Sequence, residues 1–536
     1  MPSKLHRLKV APDILIGLAL LTMGVLLFAQ LGHYALWDDE AVTALDAKGI
    51  LRTGDTSILM DHGNIVAYRN GAIVQNFCDR VDPPFPNYLT AASFLLLGVN
   101  ALAGRLPFAL VGLGTTALIL YGGRRQNLSV LLILILGLCG NVTLILFNRQ
   151  CRYYALCAFL TTAVLYIYWH WKPTTRTLLI LAGLSVVLFA SNYLNYLALY
   201  LCLAVDWALW RRKEWAPTWR RALCFLGPQI VNIPVAYLWN PLRTQHGESL
   251  LGNSPWDRCV LFFWYWRDLN QCEFFAISLL LLALGIGLGQ RRAWLVRGCL
   301  AITVYIAVIA LLSPQPVHST SVADVRYLVP IIPMAIVLET GAVWAVLRGA
   351  PFLAILAAAL VFGTNLFNGG PLLPGGTQST ICEFIVELIQ PPQDPYTLTS
   401  DWINDHVPEG GSIWVQPDYA TYPLMFRAPR ALYAWQLTWP PRPDFTALPK
   451  IHFMGQEAPD YLIAFGPNLA VMEQALKSWN RPDVSYMHEA TIAIFWKDLY
   501  RPELFWRTFK PVTGYDPNSQ AIYIFKRNAP AATHAP

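Results

Sequence analysis

Residues 128–147 read LSVLLILILGLCGNVTLILF and hold no charge. A helix of about 20 apolar residues matches the hydrocarbon thickness of a bilayer. Charge resumes at both ends, with Arg124 and Arg125 on one side and Arg149 and Arg152 on the other. Similar runs recur outward from it at 14–31, 106–121, 153–169, 178–190, 196–210, 222–238, 274–289, 298–312, 327–346 and 352–367. Together they predict an all-α polytopic membrane domain of about eleven transmembrane helices. Residues 88–99 are apolar but short, and read as lying in or near the interface.

The whole chain agrees. Of its 536 residues, 55% are hydrophobic and 13% are charged, about half the charged share of a soluble protein. Lys4, Arg7 and Lys9 precede the first run. Further basic residues fall at alternate connections: Arg124 and Arg125; Lys172 and Arg176; Arg211, Arg212, Lys213, Arg220 and Arg221; Arg291, Arg292 and Arg297; Arg348. This bias predicts a cytoplasmic N-terminus in a cell (inner) membrane and an extracytoplasmic C-terminal part. The first run reads as a retained helix rather than a cleaved signal peptide. The net charge of +6 sits in short clusters with no basic stripe interleaved with aromatics, which argues against nucleic acid as a partner.

Near residue 370 the composition changes. Gly369-Gly370-Pro371 and Pro374-Gly375-Gly376 punctuate the chain, and polar residues return. A helical signal at 399–406 and strand-like runs at 413–416, 461–465, 492–496 and 521–526 predict a small α/β domain. The expected division is a membrane domain over 1–370, including an external loop at 33–105, and an extracytoplasmic domain over 371–536. Residues 256–272 read as an interfacial helix. The cysteines show no zinc spacing; Cys78, Cys259, Cys272 and Cys382 are expected outside, where a disulfide is permitted. His33, His62, His246 and His318 have no metal-ligand spacing.

The unusual residues gather on the external face. Trp37-Asp38-Asp39-Glu40 opens the external loop. Adjacent carboxylates at an apolar boundary raise one another's pKa. They suit a general base or a cation site, and equally a solvated helix end. Asp79-Arg80-Val81-Asp82-Pro83-Pro84-Phe85-Pro86-Asn87-Tyr88 is stiffened by its prolines. Arg105-Leu106-Pro107 opens the next run. Arg149 and Arg152 lie in Asn148-Arg149-Gln150-Cys151-Arg152-Tyr153-Tyr154, and Arg326-Tyr327 opens the tenth run. One such arginine reads as a snorkelling side chain. Three beside an acidic loop fit recognition of a phosphate.

In this order the motifs resemble the GT-C superfamily of membrane glycosyltransferases, within it the bacterial group similar to protein O-mannosyltransferases and the lipid A aminoarabinose transferase. The resemblance implies a polyprenyl-phosphate-linked sugar as donor, inverting transfer outside the cytoplasm, and a lipid, glycan or protein acceptor. It implies Asp39 as general base, with Glu40 supporting it or orienting the acceptor and Asp38 as the alternative base. Arg149, Arg152 and Arg326 would hold the departing phosphate, Tyr88 and Tyr327 would add hydrogen bonds, and Arg80 and Asp82 would line the cavity. Aminoarabinose transferases carry lysine before the double proline, where this chain has Asp82, so the donor-phosphate role does not carry over to that position. Asp38, Asp39, Glu40 and Asp82 offer oxygen ligands for a divalent cation such as Mg, Mn or Ca, though their spacing does not establish a site. A transporter or flippase of lipid-linked substrates is the alternative. It predicts internal repeats, and the sequence shows none.

Overall fold

The structure is a computed structural model that describes residues 12–66, 74–75, 77–80, 82–239, 254–272, 277–313, 325–366, 379–391, 393–434, 457–479, 481–494 and 521–528. Lys4, Arg7, Lys9, His246, His318 and the Gly-Pro punctuation at 369–376 lie outside them.

Helix α1 (Pro12–Phe28) is mostly apolar beyond Asp13 in its first turn. The chain then turns into α2 (Asp38–Thr53), a separate helix whose first turn holds Asp38, Asp39 and Glu40. Acidic residues favour that end because backbone N–H groups there lack partners. Glu40 reaches back to the Trp37 N–H at 3.3 Å, as in a capping box. Gly54, at φ 82°, ends the helix in the left-handed region that glycine accepts freely. Gly49 lets the following segment pass close by, since a Cβ there would lie 2.4 Å from the Ser57 carbonyl oxygen.

A two-stranded ribbon, β1 (Val74–Gln75) and β2 (Cys78–Asp79), precedes α3 (Phe85–Leu97). Leu95 and Leu96 are largely exposed at the end of α3. Helix α4 (Ala101–Gly123) is capped by Asn100, which accepts from the Ala103 N–H at 2.9 Å. The run expected as one span at 128–147 divides into α5 (Leu128–Gly140) and α6 (Val142–Asn148), bent by 60°. Asn141 stands at the break and caps α6 through the Leu144 N–H.

Next come α7 (Tyr154–His170), α8 (Thr175–Ser191) and α9 (Tyr193–Asp206), the last continuing through one π-helical turn at Trp207–Arg211. The run at 222–238, expected as one span, is instead α10 (Trp219–Leu226), a 3-10 stretch (Gly227–Val231) and α11 (Asn232–Leu238). Pro228 removes a helical donor there. Helices α12 (Pro255–Cys272), α13 (Ile277–Gly289), α14 (Ala293–Leu312), α15 (Ile332–Leu347) and α16 (Pro351–Gly363) follow. Among the described residues, four helices are long and apolar enough to cross a membrane, or up to five if the bent pair counts as one span; further apolar helices are shorter. Cys78, Cys259 and Cys382 carry free thiols.

The C-terminal part contains helices α17 (Thr380–Ile389), α18 (Pro395–His406), α19 (Thr421–Arg427) and α20 (Asn468–Trp479). Its strands are β3 (Ser412–Gln416), β4 (Leu432–Ala434), β5 (Tyr461–Phe465), β6 (Tyr486–Ala493) and β7 (Ala521–Arg527). They form one mixed sheet in the order β4-β3-β5-β7-β6. Strand β3 runs parallel to β4 and β5, and β7 runs antiparallel to β5 and β6. Strands β3 and β5 are buried along their whole length, and apolar residues run through Ile413–Val415 and all of β5, as suits buried parallel strands. The strand expected at 492–496 starts earlier, at Tyr486, because its register on β7 begins with the Tyr486–Arg527 pair.

This α/β layer is joined to the segment between α2 and β1. Asn64 donates from Nδ2 to the Pro429 and Ala431 carbonyls at 3.1 and 2.7 Å, and its Oδ1 accepts from the Tyr433 N–H at 2.9 Å. Helix α19 packs on α2, and Phe426 stacks on Phe94 of α3 with ring centroids 6.1 Å apart.

Candidate active site

The first turn of α2 gathers groups from distant parts of the chain. The Asp39 carboxylate lies 3.6 Å from Arg152 Nη2 and 3.9 Å from Arg326 Nη1. Tyr154 donates toward Asp39 Oδ2 at 3.4 Å. These separations exceed a normal charge-assisted hydrogen bond. Asp39 is therefore flanked by positive charge, while its oxygens are not bound in a tight ion pair. Its side chain is 21% exposed, so a substrate can reach it.

Arg152 is held by other groups. It donates from Nη1 to Thr43 Oγ1 at 3.0 Å and from Nη2 to Asp82 Oδ2 at 2.6 Å. Thr43 lies one turn beyond Asp39 on the same face of α2. The structure thus brings Asp82 to an arginine, as the acidic replacement before the double proline allows. Arg326 lies with its guanidinium 5.0 Å from the Tyr327 ring, and Tyr327 is buried. Asp38 is buried beside Asp39. Burial first, and then the charge of Asp39, push its carboxyl well above the usual range; Arg152 and Arg326 pull it back.

Four expected site residues stand elsewhere. Glu40, expected to assist Asp39, is 0% exposed. It accepts from Arg105 Nε at 2.8 Å and Nη2 at 2.5 Å, and from the Cys151 N–H at 2.6 Å. With these bonds made inside the protein, Glu40 is a brace and cannot meet an acceptor. Arg149, expected at the phosphate, is buried, donates to the Leu26 carbonyl at 2.8 Å and faces the Phe384 ring. Its charge serves the C-terminal end of α1, where carbonyls lack helical partners. Arg80 forms two bonds to Asp55, at 2.7 and 2.5 Å, and lies 4.0 Å from the Trp239 ring centroid. Tyr88 donates to the Gly54 carbonyl at 3.0 Å. Arg80 and Tyr88 fasten the end of α2 rather than Asp39.

Sequence reading did not single out Tyr154, Thr43 or Asp46. Tyr154 stood inside a quoted motif, and Thr43 and Asp46 follow Asp39 at spacings of four and seven, which place all three along one helix face. Asp46 is buried two turns below Asp39 and accepts from Asn87 Nδ2 at 2.9 Å.

Of the carboxylates offered as a cation site, Glu40 is turned onto Arg105, while Asp39 and Asp82 flank the same Arg152 Nη2 at 3.6 and 2.6 Å. Among the described residues no group of three or more His, Cys, Asp or Glu side chains is placed to hold a metal ion.

No family model matches the sequence, and no curated protein matches it significantly. Solved structures do match. ArnT from Cupriavidus metallidurans bound to undecaprenyl phosphate is similar at a TM-score of 0.54 and 15% identity, over 98% of this chain and 99% of that one. ArnT from the same organism in the apo state gives 0.53 and 14%, over 96% and 97%. The archaeal oligosaccharyltransferase AglB from Archaeoglobus fulgidus gives a weaker 0.48 and 11%, over 88% and 71%. The chain therefore has the fold of ArnT over nearly its whole length. The resemblance read from its motifs extends to the architecture of the whole chain.

Proposed function

We propose that this protein transfers a sugar from a polyprenyl-phosphate donor to a lipid, glycan or protein acceptor of the cell envelope, with inversion, on the extracytoplasmic face. The observation that carries the reading is Asp39, reachable from solvent and flanked by Arg152 and Arg326 at 3.6 and 3.9 Å. The solved ArnT that carries undecaprenyl phosphate shares the fold, which supports a donor of that class.

The acceptor hydroxyl oxygen attacks the anomeric carbon, and Asp39 takes the hydroxyl proton. A new glycosidic bond forms as the bond from the anomeric carbon to the phosphate oxygen breaks. The electron pair leaves on polyprenyl phosphate, and Arg152 and Arg326 stabilise that growing negative charge. Attack opposite the leaving group inverts the centre. Tyr154 and Thr43 hold Asp39 and Arg152 in place.

Purified protein given polyprenyl-phosphate sugars and an envelope extract should release polyprenyl phosphate, and Asp39→Asn should abolish release while remaining folded. Equal turnover by Asp39→Asn would move the base to Asp38. No turnover by the wild type with any donor would favour lipid-linked transport instead.

A further inference from the structure

Ala35, three residues before Asp38, has its peptide held from both sides by charged groups. Its carbonyl accepts from Arg105 Nη2 at 2.8 Å, and its N–H donates to Asp394 Oδ2 at 2.6 Å. Asp394 belongs to the C-terminal part, 359 residues away. It stands at the start of α18, where its Oδ1 accepts from the Tyr396 N–H at 3.1 Å and its Oδ2 accepts from Thr397 Oγ1 at 2.6 Å. An ordinary helix cap satisfies the helix's own donors. This one also takes a backbone donor from the segment that leads into α2.

Nearby contacts point the same way. Ala35 and Tyr396 are buried, and Asp394 is 4% exposed. Burial first, then Tyr419 and the carboxyl groups of Asp38 and Asp394, push the Tyr396 hydroxyl well above its ordinary range. Helix α19, from the same C-terminal part, packs on α2.

We propose that Asp394 is a positioning residue, which fastens the entry to α2 against the C-terminal α/β layer and so fixes where Asp39 stands between Arg152 and Arg326. The proposal rests on the transferase reading for its effect on turnover, but not for its effect on structure. A catalytic group displaced by about 1 Å can cost 10²-fold in rate.

The test compares Asp394→Asn with Thr397→Val in the purified full chain. Thr397→Val removes one bond to the same carboxylate yet keeps the link to Ala35. For Asp394→Asn we expect kcat to fall about 10- to 100-fold with the donor KM little changed. We also expect faster amide hydrogen exchange over residues 35–45. Thr397→Val should stay near wild type in all three measures. Equal losses in both variants would reduce Asp394 to a helix cap and overturn the proposal, as would unchanged exchange at Ala35. If the wild type turns over no donor, the transferase reading fails while the exchange comparison still decides the link.

Discussion

Arg105 grips Glu40 through two parallel bonds, at 2.8 and 2.5 Å, with both side chains buried. Breaking a buried pair from one side leaves an uncompensated charge and costs about 3–5 kcal/mol. Arg105→Ala should therefore lower the unfolding temperature sharply in detergent. Glu40→Gln should cost less, because the amide oxygen still accepts from the Cys151 N–H. Thermal unfolding of the two variants side by side checks the order.

Arg152 and Arg326 are assigned to the departing phosphate. Arg326→Gln should lower kcat by about 10²-fold, the scale for losing one donor to a developing anion. Arg149→Gln should instead act on stability, since its partner is the Leu26 carbonyl at the end of α1. Steady-state kinetics and thermal unfolding of the two variants separate these roles.

Asp82 holds Arg152 at 2.6 Å and competes with any incoming phosphate. A partly exposed pair of this kind is worth about 1 kcal/mol, which corresponds to about five-fold in an equilibrium constant. Asp82→Asn should lower the donor KM by about that factor. A rise in KM would show that Asp82 contacts the donor itself.

Asp46 gives a pH prediction. Burial, and then the charge of Asp79, push its carboxyl well above the ordinary value; Arg152 lowers it, Asp82 raises it and the Asn87 hydrogen bond lowers it. A carboxyl raised in the folded state holds its proton where the unfolded chain releases it. Its favourable contribution is thus complete below the ordinary carboxylate range and is lost as pH rises through the folded-state value. Asp46→Asn should raise stability at neutral pH and flatten that part of the curve. Unfolding temperature against pH, wild type beside variant, measures it.

Much of the fold was legible because apolar runs announce helices wherever they end. The bend at Asn141 and the broken stretch around Pro228 were not, since each run reads as continuous by hydropathy. Asp39 is legible through the family resemblance, and Arg152 and Arg326 as arginines beside an acidic loop, a pattern that picks Arg149 equally although it binds the Leu26 carbonyl. Glu40 could not be told from Asp39, because what separates them is Arg105, 65 residues along the chain. Arg80 went the same way to Asp55. Charge type shows in a sequence; the partner that claims the charge appears when the chain folds. Strand β4 was missed because three residues carry too short a pattern to read.

The bond from Ala35 to Asp394 also bears on how the protein is made. Ala35 leaves the ribosome 359 residues ahead of its acceptor. Until that acceptor is synthesised, the entry to α2 holds a backbone donor that must stay with water. The corner around Asp39 can therefore set only after residue 394 of the 536 has been made. A nascent chain stopped before residue 394 would hold the apolar helices and the carboxylates of α2, yet lack the group that anchors the entry to that helix.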